Sequence, residues 1–392
     1  ALELAARGHH VCLVDQDEIP VNRASLRNEG KIHLGLIYAH DASMATAHLQ
    51  LRGAVRFRRL LHRWIGAAAN HLRVSTPFTY LVAGDSLLSP DDLSEHFAKV
   101  ELFHREQLAE DPDLDYLTTN PRSFCSPLTL DILARHFRTD RLQGGFLTAE
   151  LAIDPEEIAQ LLRRAIDIHP RIKFLASHRI KAIGRQGDSI QIEGDNARGP
   201  WQINAAQVVN ATWESRKHLD SSIGHPVPPG WVHRLKYRMI VRLAERMRQS
   251  PSATMVLGRY GDVVVRPDGT AYLSWYPSGL QGWTHELMPP REWDGPCRGT
   301  VDLKMKRQLV SEFLQKIDSW FPGICESEPL LVDAGVITAY GRTDVDDPAS
   351  GLHDRTRVGV SSTGNYHSID PGKLTTAPLF AMEAADRVSA AL

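Results

Sequence analysis

Three stretches gather residue types able to do chemistry. In RASLRNEGKIHLGLIYAHD, residues 23–41, Gly30 and Gly35 let backbone approach a ligand closely, and Ser25, Arg27 and Asn28 offer donors to phosphate or ring atoms. His33 stands there at the start of an apolar run; a plain loop and strand also explain the stretch, and with 18 histidines in the chain an isolated one is more often structural. In STGNYHSIDPGKLTTAPLFAMEAADRV, residues 361–387, a helix beginning near Leu374 aims the N–H groups of Gly372, Lys373, Leu374 and Thr375 at whatever precedes it. That positive end suits an anion or an electron-rich carbonyl, and His367 lies just upstream as a candidate base. An ordinary capped terminal helix is the competing reading. The opening ALELAARGHHVCLVDQDE reads as the end of a helix, a Gly8 turn and a buried strand, Val11 to Val14, closing on Asp15. This is the second half of a nucleotide-binding βαβ unit, in which a carboxylate at the strand end accepts ribose hydroxyls. A solvated loop acid is the alternative for Asp15.

The elements that must position these residues are legible at several points. Ser89-Pro-Asp-Asp92 and Asp154-Pro-Glu-Glu157 are helix starts, the second with Glu157 expected to close a capping box. Ile158, Leu161, Leu162 and Ile166 then follow at helical spacing. After them IKFLAS, HRIKAI, SIQIEG and INAAQVVNATW predict a small antiparallel meander and a return strand. Residues 226–290 are again strand-like, and an amphipathic helix follows through Leu303, Leu309, Val310, Phe313, Leu314 and Ile317. Tyr237, Arg238, Tyr272, Trp275 and Tyr276 come from this strand-rich part and either roof a pocket or pack a sheet.

Composition narrows the function classes. The chain has 392 residues, 42% hydrophobic and 23% charged, enough for two domains of an ordinary globular protein. A net charge of −2 provides no field for nucleic acid or an anionic membrane, so a small-molecule partner is expected. Four scattered cysteines carry no metal-ligand spacing and suit a reducing cytoplasm, and no apolar run approaches the roughly 20 residues of a membrane span. No metal site is expected. The oligomeric state is open.

Taken in order, the stretches resemble the FAD-dependent oxidoreductases of the D-amino-acid oxidase (DAO) superfamily, with SLRNEGKIHLGLIY nearest in motif to its glycerol-3-phosphate and L-2-hydroxyglutarate dehydrogenase branches. The strand ending at Asp15 resembles the family's adenosine-ribose strand; IDPEEIAQLLRRAI, HRIKAI and VVNATW resemble the segment that gives the adenine-side backbone contact, here at Ile180. GVITAYGRT with PGKLTTAP resembles the closing signature, in which an Arg, here Arg342, faces substrate and the GKLTT turn holds the flavin ring.

The resemblance implies an α/β (α+β overall) fold: a Rossmann-like FAD-binding domain assembled from residues 1–75, 148–222 and 335–392, and a substrate domain on a mainly antiparallel sheet from 76–147 and 223–334. It implies FAD, bound by Asp15, Ser25, Arg27, Asn28, Gly30, Ile180, Gly372, Lys373, Leu374 and Thr375, with His33, Arg342 and His367 as catalytic candidates. It implies hydride transfer to flavin N5 from a C–H bearing OH or amine in a small anionic substrate, with a noncatalytic binding protein of the same fold as the alternative. Two features depart from the pattern: no glycine-rich pyrophosphate loop precedes the Asp15 strand, and Asn210-Ala-Thr-Trp213 lacks the usual Gly. The first leads to the expectation of an exposed central sheet edge and weak FAD retention.

Overall fold

A computed structural model of the chain describes residues 1–391. Its largest sheet has nine strands and is mainly antiparallel; the strand Trp231–Arg242 lies at its heart, paired along its length with Glu328–Tyr340 and on its other side with Leu280–Thr284 and Thr270–Trp275. Gly261–Val265, Ser252–Val256, Phe78–Ala83, Leu142–Thr148 and Cys125–Leu128 continue it, with one parallel pairing, between Ser252–Val256 and Phe78–Ala83.

Period-two alternation gives this sheet two different faces. Leu235, Tyr237, Met239 and Val241 join Val263, Ala271 and Leu273 against Leu309, Phe313 and Ile317 of the helix Leu303–Asp318. On the opposite face Phe78, Tyr80, Phe97, Phe146, Val264 and Tyr272 form a second core with the helices Ala45–Ile65 and Pro90–Glu110. Burial of each such large side chain contributes about 2 kcal/mol. Residues 234, 236 and 238 fall on this second face, so a charged stripe is carried into the interior by strand register alone.

Two smaller sheets carry the other parallel pairings. Val11–Val14 pairs with Ile172–Leu175, and Val208–Asn210 pairs with Tyr366–Asp370, which also pairs antiparallel with Gly359–Thr363. Val11–Val14 and Val208–Asn210 are each unpaired on one side, and both line a single cleft of about 830 Å³. The sheet edge expected from the sequence is present. The antiparallel meander Arg179–Gln186, Ser189–Asn196 and Gly199–Ala205 forms as expected.

The helix starts correct one expectation. Ser89 accepts from Asp92 N, and the Asp92 carboxylate returns to Ser89 N, closing a capping box there. At Asp154 the side chain accepts from Glu156 N, but Glu157 accepts instead from Arg73 N at 2.8 Å. A charged partner on a neighbouring segment outcompetes the reciprocal bond to the helix's own cap. The strand Glu328–Tyr340 also runs unbroken through residue 334.

Candidate active site

The large cleft receives the first group of residues read from the sequence. Asp15 ends the strand Val11–Val14 on the cleft wall, as do Ser25 and Ile180 elsewhere on its lining. Asp15 Oδ1 accepts from Asp17 N at 2.9 Å, its second oxygen has no partner among the described residues, and burial pushes its pKa up. Beside it Arg23 bonds Asp17, Glu214 and Asp294, and Arg298 reaches Asp17 as well. This ion network fixes the loop that follows Asp15. It leaves the Asp15 carboxylate as the acceptor facing the opening.

Arg27, Asn28 and Gly30 are committed to the protein itself. Arg27 pairs with Asp333 at 3.2 Å and donates to Asn22, and Asn28 bonds the carbonyls of Ala24 and Ser25 while accepting from Gly30 N. Gly30 has φ +76°, and a Cβ there would stand 2.0 Å from the Ile153 carbonyl oxygen, so glycine is demanded by chain contact.

A second region, a recess, forms where residues 29–38 and the turn 372–375 meet the charged sheet face. The chain enters a 3₁₀ turn at Leu374–Thr376 and then the helix Ala377–Ala390. Gly372 N and Lys373 N are taken by Asp370 and Pro371, whereas the N–H groups of Leu374 and Thr375 have no acceptor among the described residues. Thr375 Oγ1 accepts from His33 N at 2.9 Å and so joins the two segments. His33 is buried, with Nε2 3.7 Å from Glu29 and Nδ1 3.6 Å from Glu150. Lys373 Nζ stands 4.0 Å from Glu29; burial lowers its pKa to about 8 against the opposing pull of Glu29.

The sheet contributes the opposite wall. Asp262 lies between Lys31, 3.3 Å away, and Lys236, 4.0 Å away, and Lys31 also bonds Thr254 at 2.6 Å over the Phe78 ring. Glu29, Lys236, Asp262 and Lys373 lie deep, yet their side chains keep 21%, 15%, 18% and 31% exposure, so they line a space that solvent enters. Arg234, 2% exposed, spends Nη1 on Tyr276 OH with Asp344 3.6 Å away, and its Nε has no partner. Arg355 stands near enough that burial and Arg234 together lower its pKa, with Tyr38 and Tyr276 opposing. Of the aromatic candidates, Tyr272 and Tyr276 belong to this wall; Tyr237 and Trp275 pack on the other face and Arg238 pairs with Asp333.

Two catalytic candidates lie elsewhere. His367 has both ring nitrogens engaged, with Ser362 Oγ at 2.9 Å and Gln207 Oε1 at 3.0 Å. Arg342 is exposed and makes no ion pair among the described residues; Asp344 is taken by Arg259 and Arg234. Glu29, Glu150, Arg234, Lys236, Asp262 and Arg355 were not singled out from the sequence. The readable signal was Arg234-x-Lys236-x-Arg238, charges every second residue inside an apolar strand.

An unshared strand-end carboxylate on a large cleft, and a Gly-Lys-Leu-Thr-Thr turn whose Leu374 and Thr375 N–H groups have no acceptor among the described residues, suit a dinucleotide cofactor. The model of the DAO family, described as FAD dependent oxidoreductase, matches residues 1–387, and the chain belongs to that family. No curated protein matches the sequence. Among solved structures it is similar to glycine oxidase from Geobacillus kaustophilus, at 12% identity and a TM-score of 0.68, covering 99% of this chain and 90% of that one. It is also similar to an L-alpha-glycerophosphate oxidase from Mycoplasma pneumoniae with FAD bound, at 14% identity and a TM-score of 0.62, covering 99% and 91%. A third is iminodiacetate oxidase from Chelativorans sp. BNC1, at 14% identity and a TM-score of 0.63, covering 99% and 91%. These likenesses show the shared fold.

The residues present fit FAD. Asp15 has a free carboxylate oxygen at the cleft, and the N–H groups of Leu374 and Thr375 at the recess have no acceptor among the described residues. Such buried orphan groups are costly unless a ligand completes them. Among the described residues no helix is long and apolar enough to cross a membrane.

Proposed function

We propose that this chain oxidises a small anionic substrate at a C–H bearing a hydroxyl, with amines as the second substrate class. The observation that carries the reading is the meeting of His33, the 372–375 turn and a cationic sheet face in one solvent-entered recess. FAD, when bound, supplies the hydride acceptor at N5. Asp15 and Ile180 would hold its adenosine end, and Leu374 N and Thr375 N its pyrimidine end, where negative charge develops on reduction. The cofactor-binding part is proposed to be the three segments 1–75, 148–222 and 335–392, the last shortened at its start to near residue 341 by the strand Glu328–Tyr340.

The remaining roles belong to side chains. Arg234 presents an unpartnered Nε edge, the geometry that grips a carboxylate side-on, and Arg355 adds charge beside it. Arg342, exposed and without an ion pair among the described residues, is read as an outer clamp for the same anion. A hydroxyl substrate must lose a proton as the hydride leaves, and His33 is the base that takes it. An amine that is already neutral needs no such group. The test is a visible spectrum of the FAD-loaded protein with a panel of hydroxy acids, amino acids and secondary amines. Bleaching by a hydroxy acid is expected; a protein that takes up FAD but bleaches with none of the panel overturns the reading in favour of a binding protein.

A further inference from the structure

Glu150 is a carboxylate with no solvent exposure, in a position that neither the fold nor the proposed chemistry has explained so far. Oε1 accepts from Leu34 N at 2.8 Å, and Oε2 takes the Tyr80 hydroxyl. Burial alone would raise its pKa, but His33, Lys31 and Tyr80 outweigh burial and hold it below the ordinary carboxylate range. A buried charge of this kind costs stability unless something uses it. Beyond the bonded Tyr80 hydroxyl, His33 Nδ1 stands 3.6 Å from Oε1.

We propose that Glu150 is a positioning residue for His33: it holds the imidazole proton on Nδ1 and leaves Nε2 proton-free toward Glu29 and the recess. The inference rests on the reading of His33 as the base. A neutral imidazole has one N–H, and the two carboxylates beside His33 compete for it. Glu29 keeps 21% side-chain exposure, so solvent can supply its donors, whereas Glu150 has no exposure and, after Leu34 N and the Tyr80 hydroxyl, still has lone pairs that only a protein donor can fill. The proton therefore goes to the Glu150 side. When Nε2 takes the substrate hydroxyl proton, the hydride having gone to the bound FAD, the positive ring forms against a fixed anion and the product carbonyl is left neutral.

The charged and titratable groups packed around the ring are Glu29 and Lys373 on the recess side, Lys31 and Tyr80 beyond Glu150, and Tyr38 edge-on at 5.5 Å between ring centroids. Tyr116 also feels Glu150 while donating to the Ile32 carbonyl. Glu150→Gln removes one charge from this group and leaves the other titratable side chains in the sequence unchanged.

The experiment is long-range proton–nitrogen NMR of the full protein labelled with ¹⁵N-histidine and loaded with FAD, with His33 assigned by the signals lost in His33→Gln. The unaltered protein should show His33 protonated on Nδ1. In Glu150→Gln that preference should be lost, and kcat on a substrate found in the panel should fall while KM and FAD content stay unchanged, with partial rescue by Glu150→Asp. A purely structural Glu150 would lower thermal stability without changing the tautomer or splitting kcat from KM, and that outcome overturns the proposal. If Glu150→Gln does not fold, Tyr80→Phe serves instead: it removes a donor from the carboxylate and should move the His33 Nδ1–H signal further downfield, and no change there likewise overturns it. Turnover retained in His33→Gln overturns the base assignment itself, while the tautomer result tests the positioning separately.

Discussion

The cleft and the recess are built in opposite ways. The cleft, about 830 Å³, is walled by short strand ends and apolar side chains such as Val11, Leu13, Ile183 and Ala385, with Asp15 as its one unshared strand-end carboxylate. The recess is dense in charge, with Glu29, Lys31, Lys236, Asp262 and Lys373 within salt-bridge reach of one another in pairs. The first fits a large ligand by shape and unpaired backbone; the second fits a small one by charge. Substitutions should therefore separate them: cleft changes move cofactor affinity, and recess changes move turnover.

The largest expected effect is in the recess. Arg234→Leu should lower kcat/KM by about 100-fold or more, since truncating one side of a buried charge pair costs about 2–5 kcal/mol, and FAD content should stay unchanged. Loss of FAD together with activity would erase the distinction between the two regions. Next comes stability at the cleft's edge. Glu3, buried and held by Arg7, Arg63 and Trp64, has its pKa lowered to about 2 by those partners against the opposing effect of burial. A depressed folded-state pKa contributes stability above the ordinary carboxylate pKa and loses it as pH falls toward 2. Glu3→Gln should cost about 2 kcal/mol at pH 7 and flatten the acid side of the stability curve, read by urea melts.

A smaller effect is expected on the cofactor. Asp15→Asn should weaken FAD about tenfold, or about 1.4 kcal/mol, and reduce the thermal shift that saturating FAD produces. If it alters turnover at full FAD loading instead, Asp15 belongs to the recess. Lys373 supplies a pH test: its charge is present below about 8 and lost above it, so binding of an anionic probe such as glycolate should weaken a few-fold between pH 7 and 9. Lys373→Met should abolish that slope. The smallest effect is at exposed Arg342, where Arg342→Leu should raise KM about threefold, because exposed charges contribute about 0.2–1 kcal/mol.

Much of the cleft was readable because its signals are local. Val11 to Val14 followed by Asp15 is a run of adjacent residues whose types decide backbone shape, as at the recess is Gly372 to Thr375 before a helix. The recess was less readable because it is assembled across the chain: Lys31 and Asp262 are 231 positions apart, and Arg234 and Lys236 reach it only through strand register. Glu150 gave no sequence signal, since a single acid between a strand end and a turn is ordinarily solvated. Arg27, Asn28 and Gly30 were conspicuous for the same local reason, yet their bonds close their own loop and contact Ile153.

By itself the sequence determined the kinds of element, the turn chemistry of the GKLTT segment and the likeness to a flavin-binding family, because these depend on neighbours in the chain. Tertiary structure decided which charges meet. It set Lys236 and Arg234 inward, placed Glu150 against His33, and left Arg342 exposed, since burial and pairing depend on groups far apart in sequence whose energies exist only once the sheet has closed over them.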